Sequence, residues 1–316
     1  MKKLFLILIP FLFISCVTRN PITWDKRIIH SDIKPLNLAY SEYAKEHNKT
    51  ILFIHGFGES RYTWRFLIKP LSKYYHIITI DLKGFGDSPK TEDEDYSVYD
   101  QAKIVQKFIE DKKLKNLTIV GRSFGGGVAL VLALMQEKNM LKIKINKLIL
   151  INSMSYKQSL PSMMRYLQKP IIGYLGIHLL SAKTIAKEAY AFAFSNDKLI
   201  PQESVDKSAK LIDMPNAKYA YKQTVDYIIP DDISKIEKKY KDIKIPTLII
   251  WGKDDVSIPY KFGKRLHHNI RNSRFLLLKH VGHMPQEEAP QKVINAIERF
   301  MGKNLPHNNS KVSNNS

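Results

Sequence analysis

Ser123 stands in Gly121-Arg122-Ser123-Phe124-Gly125, between the apolar residues Leu117, Ile119 and Val120 and the helix-forming run from Val128 to Leu134. Strand, sharp turn and helix, with a hydroxyl at the turn, is the arrangement that presents a nucleophile. The flanking glycines answer a steric need. A serine on a strained turn leaves no room for Cβ atoms two positions either side. The turn lifts the hydroxyl out of the sheet and aims the first amides of the following helix at the reacting carbon. A serine hydroxyl is a poor nucleophile at its ordinary pKa and needs a base within reach. That base needs an acid to fix its tautomer and to stabilise the imidazolium. Downstream the chain offers two aspartates, Asp254 and Asp255, in the run Trp251 to Pro259. Two histidines follow, His280 and His283, in the run His280 to Pro285. The order serine, acid, histidine is one of those a catalytic triad adopts. Both runs follow apolar stretches, where the loops of a parallel sheet carry its chemistry.

The elements that must hold these groups can be read from the same chain. Leu36 to Tyr40 alternates as a half-buried strand does. Thr50 to Ile54 and His76 to Ile80 are continuously apolar, as central parallel strands are. The first ends in His55-Gly56-Phe57-Gly58 and the second in the turn Asp81 to Ser88. Tyr62 to Ser72 carries Trp64, Leu67, Ile68 and Leu71 on one helical side. Asp100 to Lys112 repeats Ile104 with Phe108 and Val105 with Ile109 at i,i+4. Asn146 to Ile151, Thr247 to Trp251 and Phe275 to Leu278 read as further strands, and Val293 to Met301 as a last helix. Strands alternating with helices predict a parallel, helix-covered sheet. Residues 153–240 break that rhythm with helical pattern rich in Met, Tyr and Leu, an insertion into one sheet domain of 36–152 and 241–303. The tail 304–316 is polar and aperiodic, a composition that favours disorder.

With 316 residues and 44% apolar content, the chain can bury a substantial core. Lys+Arg number 50 against Asp+Glu 30, a net charge of +20. Such a balance suits an anionic membrane surface or a solvated lysine-rich exterior. The lysines are spread without interleaved aromatics, and no nucleic-acid module is visible, so nucleic acid is not an expected partner. The one cysteine excludes an intrachain disulfide, and no Cys/His spacing suggests a metal. Met1-Lys2-Lys3 followed by the apolar run Leu4 to Ile14 fits a signal peptide over residues 1–15, too short to span a bilayer as a normal helix. Leu12-Phe13-Ile14-Ser15-Cys16 resembles a bacterial lipobox, with Phe13 where Leu or Val is usual. It implies lipidation at Cys16, with residues 16–35 as a tether to the cell envelope. Val17 is not the aspartate linked to inner-membrane retention, which points to an outer membrane where the cell has one. Several acyl chains would hold far more firmly than one.

The motifs together resemble the α/β-hydrolase superfamily, in the lid-bearing branch of carboxylesterases, meta-cleavage-product hydrolases, haloalkane dehalogenases and epoxide hydrolases. The matched residues are His55-Gly56-Phe57-Gly58, the Asp81 to Ser88 turn, the Ser123 turn, Gly252-x-x-Asp255-x-x-x-Pro259, and Gly282-His283 with Glu287 and Pro290 behind it. Lys83 departs from the common Arg or Pro. The resemblance implies a mostly parallel eight-stranded sheet flanked by helices, with a helical cap inserted after the sixth strand. It selects Asp255 over Asp254 and His283 over His280, leaving His280 a packing or hydrogen-bonding role. Where some relatives carry the acid after the sixth strand, this chain has Asn152-Ser153.

By the same match, the backbone amides of Phe57 and Phe124 form an oxyanion hole, worth a few kcal/mol each in the transition state. His55 shapes its loop and, with Gly56 and Trp64, lines the substrate pocket; Phe85 and the cap methionines add apolar wall. A serine, not an aspartate, at the turn argues against dehalogenase and epoxide-hydrolase chemistry. The expectation is acyl transfer from a small-molecule ester to water, with no cofactor. C–C bond hydrolysis of a diketone-like compound and a non-catalytic ligand-binding lipoprotein are the alternatives. Oligomeric state is not indicated.

Overall fold

A computed structural model describes residues 21–32, 34 and 36–302. In chain order it contains β1 (Tyr40–Tyr43), β2 (Thr50–Ile54), α1 (Arg65–Leu71), β3 (His76–Ile80), α2 (Val98–Asp111), β4 (Leu117–Arg122), α3 (Phe124–Glu137) and β5 (Ile145–Ile151). Then come α4 (Ser162–Leu167), α5 (Pro170–Leu179), α6 (Ala182–Ala193), α7 (Gln202–Ile212), α8 (Ala217–Tyr227) and α9 (Ile233–Ile236). The chain closes with β6 (Thr247–Gly252), α10 (Lys261–Asn269), β7 (Ser273–Leu278), α11 (Pro285–Glu288) and α12 (Pro290–Met301).

The strands form one sheet in the order β1-β3-β2-β4-β5-β6-β7. All neighbours are parallel except β1 with β3. Alternate residues of the central strands feed two cores. Leu52, Ile54, Ile119, Leu148 and Leu150 face α2 and α3, while Ile51, Phe53, Val120, Ile149 and Ile250 face α1 and α12. Covering both faces explains the continuously apolar strands. The register aligns the strand ends: Ile54 pairs with Gly121, Arg122 with Ile151, and Ile151 with Ile250. The loops after β2, β4, β5 and β6 therefore leave one edge together.

Four expectations change. The sheet has seven strands among the described residues, not eight, and the helical insertion follows the fifth. Before β1 the described residues form a helical turn, Asp25–Ile29, against α2. The first strand begins at Tyr40, not Leu36. Residues before it serve the Asp81 turn instead: Ala39 accepts from Asp81 N and donates to Ser88 Oγ. Residues 16–35 are not a free tether throughout, because Ile22, Trp24 and Ile28 are buried. Asp231 and Asp232 accept from the backbone of Ile22 and Trp24, and Arg27 pairs with Asp95 and Asp100. Cys16 and the tail from residue 303 lie outside the described residues. Among the described residues, no helix is long and apolar enough to cross a membrane.

Candidate active site

Ser123 sits between β4 and α3 with φ 51° and ψ −119°. A left-handed backbone at a non-glycine residue is strained and persists only where its surroundings hold it. Here Ser123 N donates to Ile151 O, and Ser123 O accepts from Gly126 N and Met154 N. A Cβ on Gly121 would lie 2.4 Å from Gly125 O, and one on Gly125 would lie 2.3 Å from His55 O. The glycines thus let α3 press against the ends of β2 and β4.

His283 comes from the loop after β7. Its Nε2 lies 3.0 Å from Ser123 Oγ and its Nδ1 2.7 Å from Asp255 Oδ2. A carboxylate there only accepts, so Nδ1 carries the proton and Nε2 offers its lone pair to the serine. Burial pushes the His283 imidazole below its usual pKa, against the opposing pull of Asp255. The ring is therefore neutral, and a base, at neutral pH. Burial pushes the Asp255 carboxyl up, but His283 and hydrogen bonds from Ile258 N and Asn152 outweigh it, and the net direction is down. Asp255 Oδ1 accepts from Ser257 N and Ile258 N at 2.8 and 2.9 Å.

The neighbouring candidates go elsewhere. Asp254 is partly exposed, and the His280 side chain is 93% exposed at a turn with φ 57°. The packing role expected of His280 is not found, because its strand ends before it and the turn carries its ring into solvent. Asn152, directly after β5, replaces the acid with an amide that serves it. Its Nδ2 donates to Asp255 Oδ2 at 2.5 Å, and its Oδ1 accepts from Gly252 N at 3.2 Å.

Arg122 was invisible as a site residue in the sequence. Its guanidinium is buried and bonds twice to His283 O, at 2.7 and 3.2 Å, while Nη1 pairs with Glu59. Burial lowers its pKa to about 10, so it stays charged at neutral pH. Glu288 accepts from Gly282 N and Met284 N, and also from Ser195 at the end of the cap helix α6. The histidine loop is thereby fixed to the cap, as it is by His283 N donating to Ala193 O. Pairs so distant in sequence leave no local pattern that could reveal them.

Above Ser123 lies a cavity of about 350 Å³ between sheet and cap. Phe57, Met154, Ile177, Ile212, Tyr221 and Met284 are among its apolar walls, with Ser123, His283, Glu59 and Arg122 at its polar end. Phe124 opens α3, so its amide belongs to the first turn, which lacks intrahelical acceptors. Phe57 follows the His55-Gly56 pair at the end of β2, and its ring meets Phe85 and Tyr221 edge-on.

Three expected pocket residues are placed otherwise. Trp64 is fully buried against Phe53 on the α1 side of the sheet, 4.8 Å between ring centroids, and does not reach the cavity. His55 is also buried. Its Nδ1 meets Gly56 O and its Nε2 accepts from Leu82 N, which braces the loop between two strand ends. Gly56 packs beside the Glu59–Arg122 pair, where a Cβ would lie 2.6 Å from Arg122 Nη1. Phe85 supports Phe57 from behind. No cluster of His, Cys, Asp and Glu suited to a metal occurs among the described residues.

Comparison with known proteins gives consistent results. The model of a family described as alpha/beta hydrolase fold matches residues 49–290. The hydrolase YugF of Bacillus subtilis strain 168, itself uncharacterised, is 29% identical over 271 residues, 84% of this chain and 94% of its own. Lipase 3 of Moraxella sp. strain TA144 is 26% identical, covering 90% of this chain and 89% of its own. A crystal structure from Acinetobacter baumannii AYE, described as a lipase candidate, is 31% identical with a TM-score of 0.70, covering 86% of this chain and 89% of that one.

Proposed function

Because the chain belongs to the alpha/beta hydrolase fold family and is a hydrolase of that fold, we propose that it is a serine esterase acting on neutral esters with an apolar acyl or alcohol part. The observation that carries this reading is the hydrogen-bonded series Ser123–His283–Asp255 opening into an apolar cavity. His283 Nε2 takes the Ser123 proton as Oγ attacks the ester carbonyl. The amides of Phe57 and Phe124 receive the developing oxyanion. His283 then gives its proton to the leaving alcohol, leaving an acyl-enzyme on Ser123. Water attacks that ester with His283 again as base, and the carboxylic acid departs.

An ester suits the cavity better than an anionic diketone. The cation in its wall, Arg122, is already committed to Glu59 and to His283 O. The lipase names borne by two similar proteins agree with an apolar ester. A fluorophosphonate probe tests the reading. The protein should be labelled and Ser123→Ala should not, and p-nitrophenyl esters of graded chain length then size the cavity. A folded protein that neither labels nor hydrolyses any ester would favour ligand binding without catalysis.

We further propose that Cys16 is acylated and anchors the enzyme in the cell envelope. Support comes from the basic and apolar leader and from the lipobox-like residues 12–16. Metabolic labelling with an alkyne fatty acid should mark the native chain and spare Cys16→Ala.

A further inference from the structure

The cap helix α5 reads Pro-Ile-Ile-Gly-Tyr-Leu-Gly-Ile-His-Leu, apolar on nearly every side. It buries only Gly173 and Ile177, one turn apart. The opposite face carries Ile171, Leu175 and Leu179 at i, i+4 and i+8, exposed by 69%, 48% and 79%. Tyr174 and, on the neighbouring α4, Tyr166 and Met163 extend the exposed apolar area. A helix apolar all round is normally covered, and contiguous exposed patches of this kind mark interaction sites.

The surrounding charge identifies the cover. From residue 153 to 187 the chain holds Lys157, Arg165, Lys169, Lys183 and Lys187 and no aspartate or glutamate. All five cations are exposed; Lys183 meets Asp206 from α7 at 3.3 Å. Exposed apolar side chains and tyrosines on a segment whose flanking charges are all cationic match the boundary between acyl chains and anionic headgroups.

We propose that α4 and α5 dock into an anionic lipid bilayer, with Ile171, Leu175 and Leu179 in the acyl region and Arg165 and Lys169 at the headgroups. The cavity begins on this same hairpin. Ile172 and Leu180 are exposed on its surface and also line the cavity wall. Resting on the esterase reading above, this places the substrate entrance at the membrane, so that an apolar ester passes from bilayer to Ser123 along α5 without crossing water.

The test uses the full chain carrying Leu179→Trp. The three native tryptophans, Trp24, Trp64 and Trp251, are buried, so residue 179 gives the exposed signal. Vesicles contain phosphatidylcholine and phosphatidylglycerol with or without bromine on the acyl chains. Quenching at residue 179 reads the depth of α5 itself, whatever the leader contributes to vesicle binding. The expected result is a blue shift and loss of emission on brominated vesicles. Adding Ile171→Ser and Leu175→Ser should abolish both the blue shift and the quenching. Emission unchanged by bromine while the chain co-sediments would overturn the proposal. So would a blue shift in buffer that grows with protein concentration, which would mean that a second copy covers α5. Hydrolysis of a short soluble p-nitrophenyl ester, measured on the same samples, separates failure of the surface from failure of the esterase reading.

Discussion

Asn152 Nδ2 and His283 Nδ1 converge on one atom, Asp255 Oδ2, at 2.5 and 2.7 Å. The amide at the end of β5 thus holds the carboxylate that follows β6. Replacing Asp255 by Asn should stabilise the wrong imidazole tautomer and lower kcat by about 10⁴-fold. Exchanging the pair, Asp255→Asn with Asn152→Asp, returns a carboxylate to the same point from the neighbouring strand. The double variant should recover part of the lost kcat/KM for a p-nitrophenyl ester. A double variant no better than Asp255→Asn alone would show that the acid acts only from the later loop.

Arg122 and Glu59 make a buried charge pair in the cavity wall, with side chains 3% and 10% exposed. Arg122→Met would strand the carboxylate and free His283 O, a loss of about 3–5 kcal/mol for breaking one side of such a pair. Glu59→Gln added to it removes the stranded charge and should restore most of the stability. Urea denaturation of the two single variants and the double variant measures the coupling.

The pH profile of kcat/KM should follow His283. Catalysis needs the neutral ring, and burial lowers its pKa below the ordinary value, near 6.5. Activity should therefore rise on an acid limb below about 6.5 and reach a plateau by neutral pH. Asp255 favours the imidazolium, so in Asp255→Asn the limb should move further toward acid as the plateau falls. A limb above 7 in the native enzyme would contradict this assignment.

The N-terminal segment should contribute to stability. Trp24 is 8% exposed and meets Tyr99 edge-on at 5.9 Å. Trp24→Ala should cost about 3 kcal/mol or more. Asp232 accepts from both Trp24 N and Tyr99 Oη, and its replacement by Ala should cost about 1–3 kcal/mol through the donors it leaves unpaired. Trypsin should then cut after Lys26 and Arg27 faster than in the native chain.

Legibility followed the range of the interactions. The turn at Ser123 could be read because its need for small neighbours is local, and its glycines declare it. Asp255 and His283 were distinguishable from Asp254 and His280 only through motif spacing, and the structure turns the other two toward solvent. Trp64 was misplaced for a definite reason. Its helical spacing says that a face is buried, not on which side of the sheet, and α1 packs opposite the cavity. Asn152, Arg122 and Glu59 act across strands far apart in sequence, so no local pattern names them. Ile22, Trp24 and Ile28 have no regular period, and their partners lie far along the chain, on α2 at Tyr99 and at Asp231 and Asp232 near the end of the cap. The strand count failed because, among the described residues, the chain before β1 forms one helical turn packed on α2 and no strand.

The docking of Ile22 has a consequence for distance. Five residues, Val17 to Pro21, separate it from Cys16. Six steps of about 3.6 Å give a leash of at most about 22 Å. With the acyl chains proposed for Cys16, the folded body would ride within roughly its own radius of the lipid surface. It could tilt and spin but not drift away. Any contact with that surface then becomes an intramolecular event, governed by a high effective concentration instead of by diffusion. A weak grip elsewhere on the molecule would be enough to fix its orientation.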